Sequence, residues 1–324
     1  MDLILASPQR KELGVIRYPV FDCDCNGQRT FSLSVPVSEW NGSITFGSRI
    51  FVPGEEYGGI VGQITTDTDL ALVTVSGHTW RGFLAQKVIS PARGDDYVTV
   101  SGDANAILSD LIDQRFSNQL AASSEVSGIT IYSYQFKRYC TLLDGLNDML
   151  ADAGAKLSLV YDDETARVIV SAVPAVDYSP DIELSQDYDL QFTYDDIRNR
   201  PNHLIVGGKG ELAARQILHL YADRNGNIGK TQRLFGLDEI EVFWENTSTD
   251  QLEKEARKHF EEIKNTAKLS MDINSIPDSA RIGDIVGGRD YITGQSMKAP
   301  IGNIVLQING DTITKNYTLE EAKK

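Results

Sequence analysis

Residues 73–91 read VTVSGHTWRGFLAQKVISP. Val73 and Val75 alternate with Thr74 and Ser76, the two-residue period of a strand with one buried face. Gly77 interrupts the alternation. His78, Trp80 and Arg81 follow, three residue types common in active sites, and then the apolar series Phe83, Leu84, Val88 and Ile89. The stretch is a catalytic loop, a binding loop or a structural hinge, and the rest of the chain has to decide which.

Upstream, the chain is all-β in character. Short alternating runs at 30–35, 43–46, 60–64 and 70–75 are separated by Asn26-Gly27, Asn41-Gly42, Pro53-Gly54 and Gly58-Gly59. Strands at this spacing, with turn chemistry between them, predict a barrel or sandwich. After Gly94 the period changes. Ile107, Leu108, Leu111 and Ile112 share one helical face, with Asp103 or Ser101 as the cap. A second helix starts near Thr141, with Leu142, Leu143, Leu146, Met149 and Leu150 as its stripe and Gly154 as its stop. A hairpin follows, out through Leu157, Leu159 and Tyr161 and back through Val168, Val170 and Ala172. From about 181 the chain is β again. A third helix is predicted over 248–265, where Ser248 and Gln251 fit a capping box. The last fifty or so residues are strands, with Asn309-Gly310 as a hairpin turn.

The chain has 324 residues, room for two or three domains. Its 31 basic and 46 acidic side chains leave a net charge of -15, which argues against a nucleic-acid reader with a basic face. Apolar runs fall far short of the ~20 residues of a spanning helix, so no membrane insertion is expected. MDLILASPQRKELG lacks the basic and apolar regions of a signal peptide, and the expectation is synthesis in a reducing cytoplasm. Cys23, Cys25 and Cys140 have no framework spacing, so no disulfides are expected.

The chemical motifs are weak. Gly208-x-Gly210-x-x-Ala213 matches a relaxed dinucleotide fingerprint, but no helix of several turns fits after it, and Asp223 comes too soon to be the ribose acid. A glycine-rich strand connection accounts for the same letters. Asp223, Asn225 and Asn227 begin like a calcium loop, yet Leu234 stands where the closing glutamate belongs. A turn on Asn225-Gly226 is the better reading. Asp22-Cys23-Asp24-Cys25 lacks a second pair of soft ligands and fits a strand. His78, His203, His219 and His259 sit in no metal or nucleophile motif. No catalytic, cofactor or metal residues are assigned, and no enzyme activity is expected.

The order of the elements is more telling. Ser76, Gly77, His78, Leu84, Lys87, Val88, Ile89 and Pro91 resemble a feature of the tail hub (baseplate hub, tail-tip) proteins of long-tailed bacteriophages and prophages. There a strand ending in Ser-Gly leads into a short helical turn, basic residues and paired β-branched residues before a proline. MDLILAS with LGVI resembles the family's opening hairpin, and FSLSVPVSE its second strand. NHLIVGGKGE is similar to the strand after its α/β insertion, YADRNGNIGKTQR to its hairpin, and IGDIVGGRDYITG to its closing strand pair.

The resemblance implies a mainly β fold of two related antiparallel β-barrels decorated by small α/β domains. The first barrel is expected at 1–97, completed by about 181–200, with the α/β insertion at 98–180. The second is expected at 201–245 and 268–324, with a helical insertion at 246–267. It also implies a homotrimer whose six barrels form a pseudo-hexameric ring in the virion tail, assembled in the bacterial host cytoplasm. Expected partners are the distal tail protein, the tail tube, the tape-measure protein, and a tail fibre or spike, with DNA passing through without specific binding. The acids Asp67, Asp69, Glu183, Asp187, Asp189, Asp284 and Asp290 are the pool for an acidic lumen. The chain stops six residues after Thr318, so any cell-wall activity is expected on another chain. Gly77 is then a structural hinge, and Trp80 and Arg81 cover a barrel edge or lie at a subunit contact. The competing readings are a carbohydrate-active enzyme, which needs two carboxylates brought together from distant strands, and a carbohydrate-binding module, which needs a row of exposed aromatics among Trp40, Trp80 and Trp244.

Overall fold

The computed structural model describes residues 1–180, 199–224, 226–247, 251–264, 276–289 and 298–320, together with the backbone of strand segments at 183–185, 191–197, 266–272 and 296–297. The chain forms two compact units, Met1–Gln191 with Met271–Glu320, and Phe192–Ser270 with Glu321–Lys324. It is mainly β.

The first unit opens with β1 (Leu3–Ala6), β2 (Glu12–Ile16), β3 (Val20–Asp24), β4 (Thr30–Pro36), β5 (Arg49–Phe51), β6 (Gly58–Asp67) and β7 (Leu72–Thr79), then helix α1 (Trp80–Ala85). An α/β segment follows: β8 (Thr99–Asp103), α2 (Ala104–Ile112), β9 (Leu120–Ala122), β10 (Thr130–Gln135), α3 (Leu142–Asp152), β11 (Ala155–Asp162) and β12 (Arg167–Pro174), with β13 (Glu183–Ser185) after it. The second unit carries β14 (Gln191–Ile197), β15 (His203–Gly207), β16 (Ile217–Ala222), β17 (Ile228–Gly229), β18 (Glu241–Glu245), α4 (Leu252–Ile263) and β19 (Thr266–Asp272). The first unit closes with β20 (Ile285–Arg289), β21 (Ser296–Asn309) and β22 (Thr312–Leu319).

The main sheet of the first unit runs β13-β20-β21-β3-β4-β7-β6-β5-β1-β2, with β22 also paired to β21. Alternation sets its faces. Phe21 and Cys23 on β3, Phe31 and Leu33 on β4, and Leu306 and Ile308 on β21 are buried. Two sequence expectations change here. Residues 268–324 were grouped with 201–245, but β21 pairs with β3 (Leu306 with Cys23, Ile308 with Phe21), so the last strands extend the N-terminal sheet. Their apolar faces continue one another, which makes that pairing the one that buries both. The run at 43–46 is not a strand: the Ser48 amide donates to the Thr45 carbonyl, and Gly47 takes φ +83° to complete a turn before β5.

The α/β segment follows its local signals. Asp103 caps α2 by accepting from the Asn105 and Ala106 amides, and Thr141 caps α3 by accepting from Asp144. Gly154 ends α3 at φ +67°. β11 and β12 pair antiparallel, with β9 parallel to β12. Leu108, Ile112, Leu146 and Leu150 form one core with Leu159 and Val170 and with Phe51, Trp80 and Leu84 of the N-terminal segment.

In the second unit β17-β16-β15-β18 form a sheet, against which α4 packs Leu252, Ala256 and Phe260. α4 begins at Leu252 rather than at 248, and its N-cap Gln251 makes no side-chain capping bond; Ser248 lies outside the described residues. Among the described residues no helix is long and apolar enough to cross a membrane.

Candidate functional site

Strand β7 does not end at Gly77, as the broken alternation suggested, but runs on to Thr79. The glycine is needed for close approach instead. A Cβ there would lie 1.9 Å from the Ile60 carbonyl oxygen, and one at Gly59 would lie 2.1 Å from the His78 carbonyl. A bulge in β6 between Val61 and Gln63 shifts the register at this point. The exit from the strand is made two residues later by Thr79, whose backbone is extended and whose hydroxyl accepts from the Gly82 amide at 3.3 Å, capping α1.

Trp80 and Arg81 open α1, and each is only 2% exposed. The Trp80 ring lies 5.8 Å from that of Tyr161, which stacks on Phe51 at 3.7 Å. The Arg81 guanidinium donates to Glu56 Oε2 at 3.0 Å and to the Leu157 carbonyl at 3.1 Å. These two residues therefore tie the N-terminal sheet to the α/β segment from inside. Of the two expected roles, covering a barrel edge or lying at a subunit contact, this burial argues against the second. It also removes Trp80 from any exposed aromatic row.

The other sequence candidates resolve into local structure. The sulfurs of Cys23 and Cys25 are buried, while the neighbouring acids point the other way. Asp24 accepts from the Gly27 and Gln28 amides and from Asn303 Nδ2, and Asp22 accepts from Gln307 Nε2. A hydrogen bond with Cys23, helped by burial, pushes the Cys25 thiol well up, away from the thiolate that a metal needs. Asp223 accepts from the backbone and side-chain nitrogens of Asn227, closing the hairpin between β16 and β17; Asn225 lies outside the described residues. Gly208 and Gly210 sit in the connection between antiparallel β15 and β16, where a single 3-10 turn, Leu212–Ala214, replaces the helix that dinucleotide binding requires.

Of the acidic pool, Asp67 and Asp69 are exposed at the β6–β7 tip. Asp284 is fully buried, salt-bridged to Lys156 at 2.5 Å and accepting from the Val176 and Arg281 amides, so it is structural. The side chain of Glu183, and Asp187, Asp189 and Asp290, lie outside the described residues. β2 is the last strand of its sheet and exposes Leu13 (48%) and Val15 (53%) beside Tyr18 (79%).

Sequence reasoning missed a cluster in the second unit. His203 and His219 meet at 2.9 Å between Nε2 and Nδ1, and Glu239 and Glu241 converge on the other ring nitrogen of His203.

No family model matches the chain, and no curated protein matches it. Solved structures do. The 43 kDa tail protein of prophage MuSo2 from Shewanella oneidensis is 13% identical, with 99% of this chain and 98% of that one covered at a TM-score of 0.54. The prophage tail protein gp18 from Listeria monocytogenes EGD-e is 12% identical over 100% and 96%, with a TM-score of 0.52. A chain of the phage P2 baseplate in its activated conformation is 13% identical over 100% and 99%, with a TM-score of 0.50. At these identities the likeness is one of fold, and it runs the full length of the chain.

Proposed function

We propose that this chain, which has the fold of phage tail and baseplate proteins, is a structural hub of a phage tail tip or baseplate. The observation that carries this reading is the end-to-end match of its fold to tail proteins, with no large segment left over on either side. In this reading three copies close a ring in which each chain supplies two β-domains, giving pseudo-sixfold symmetry. Such a ring stacks on a hexameric tail tube or distal tail ring and offers threefold symmetry to a fibre or spike. Closed symmetry of this kind is the usual solution for a homo-oligomer.

Two features support it. The edge of β2, which among the described residues pairs only with β1 and has Leu13 and Val15 exposed, is the kind of edge that proteins cover or pair. The acidic excess of the chain suits a passage that DNA crosses without being held, because a lysine- and arginine-lined groove would bind the phosphates. The protein acts by assembly and not by catalysis.

Mass measurement in solution, backed by negative-stain images, tests the reading. Trimeric rings are expected, alone or with a distal tail ring added, together with no retention of double-stranded DNA at low salt. Rings of six copies, or tight DNA binding by the ring, would overturn it.

A further inference from the structure

We propose that His203, Glu239 and Glu241 form a binding site for a divalent transition-metal ion of the zinc class, with His203 Nδ1 and one oxygen of each carboxylate as ligands. Glu239 Oε1 lies 2.7 Å and Glu241 Oε1 3.2 Å from His203 Nδ1, and the three ligand atoms all lie within 4.8 Å of one another. Zinc bonds of about 2.0–2.1 Å in a tetrahedron put neighbouring ligands roughly 3.3 Å apart. The His203–Glu241 separation already matches that spacing, the His203–Glu239 one would open by about 0.6 Å, and the two carboxylate oxygens lie within 4.8 Å of each other.

The fold builds this arrangement. β15 and β18 are parallel neighbours, and His203 and Glu241 are direct partners across them. Glu239 is delivered by the segment before β18, which buried Asn202 grips on both sides. Its Nδ2 donates to the Asp238 carbonyl at 2.7 Å, and its Oδ1 accepts from the Ile240 amide at 3.0 Å. The His203 amide also donates to the Ile240 carbonyl. The ligands thus come from backbone that is held before any ion arrives.

The rest of the histidine environment suits a ligand. Its side chain is 7% exposed, and its ring stacks on Tyr221 with centroids 4.3 Å apart. A neutral imidazole that ligates through Nδ1 carries its proton on Nε2. That nitrogen faces His219 Nδ1 at 2.9 Å, an acceptor that fixes the tautomer and orients the ring, as outer partners of metal-bound histidines do. Gln232 Nε2 donates to Glu239 Oε1 at 2.7 Å and orients that carboxylate. Without an ion, two carboxylates share a single ring nitrogen, and among the described residues neither is paired with a lysine or arginine. A divalent cation neutralises both. Glu241 is 59% exposed, so water completes the coordination on that side. The ion would staple the 236–240 segment to the sheet of the second unit. The site departs from the sequence expectation of no metal because its ligands are 36 and 38 residues apart, outside any short motif.

The test uses the full chain, stripped with chelator and titrated with zinc chloride by calorimetry. One ion per chain is expected, with a melting temperature that rises on loading. E241Q, at the most exposed ligand, is expected to weaken binding by about tenfold or more while leaving the melting temperature in chelator unchanged. Cobalt loading is expected to give the visible bands of low coordination with nitrogen and oxygen ligands, lost in E239Q. Absence of saturable binding overturns the proposal. So does binding that E239Q and E241Q leave intact, or that D223N removes instead.

Discussion

Arg81 Nη2 lies 3.0 Å from Glu56 Oε2, with the two side chains only 3% and 6% exposed. A charge pair this deep is a weak source of net stability, but an unforgiving one to break. Removing one partner strands the other away from water, at a cost of about 3–5 kcal/mol. Arg81→Ala and Glu56→Ala should each lower the urea midpoint by a corresponding amount. The double replacement Arg81→Met with Glu56→Met should recover most of the loss, because it leaves no orphan charge. Measured unfolding curves check this, and a double variant no better than the single ones would show that the pair contributes through the Leu157 hydrogen bond instead.

Gly77 and Gly62 lie on adjacent strands and should respond oppositely to alanine. The new Cβ at 77 would meet the Ile60 carbonyl at 1.9 Å, whereas at 62 it meets nothing within 4 Å. Gly77→Ala should cost about 3 kcal/mol or more, in the range of backbone strain and overpacking. Gly62→Ala should lie within about 0.5 kcal/mol of the parent. Thermal melts of the two variants side by side decide it.

These contrasts also show what was legible in the sequence. α2, α3 and the β11–β12 hairpin are readable because cap, stripe and turn lie within twenty residues of one another. The pairing of β21 with β3 is not, because Val305 meets Asp24 across most of the chain, and both strands alternate as well as any other pair would. Trp80 and Arg81 stand out in the sequence as residue types common in active sites, but an arginine's burial depends on a partner, Glu56, that alternation does not mark. The histidine cluster was hidden for the same reason. His203 and His219 face each other only because the β15–β16 register pairs His203 with Tyr221 and Ile205 with His219, which puts the two rings diagonally on one face.

Asp103 gives the α/β segment an acid-dependent clasp. Desolvation pushes its carboxyl up, but hydrogen bonds from the Ser127 hydroxyl and amide and from the Ala106 and Asn105 amides outweigh it and hold the group below its ordinary value. A depressed carboxyl contributes stability that is present above its unfolded value, about 3.9, and is lost as pH falls through the folded one. The parent should therefore lose stability on acidification below about pH 4. Asp103→Asn should start less stable at neutral pH and lose less across the same window. Urea midpoints between pH 6 and pH 2.5 give the comparison, and parallel curves for the two proteins would count against the clasp.

The edge at β2 should decide assembly. Leu13 and Val15 lie two residues apart on the strand, and both are about half exposed. β2 has β1 on one side and is the end of the sheet path on the other. If a second copy covers this edge in the ring, then a lysine placed there should stop the contact without harming the fold, since a charge at an edge is how proteins prevent strand pairing. Val15→Lys should leave the circular dichroism spectrum and the melting temperature of the separated chain within about 2 °C of the parent, as an exposed substitution does. It should also abolish the trimer that the proposed ring requires, as measured by light scattering. Val15→Thr, of similar shape and uncharged, controls for substitution at the site and should leave the mass unchanged. A trimer that survives Val15→Lys at the parent's concentration dependence would move the interface away from β2 while leaving the hub reading itself to the ring images.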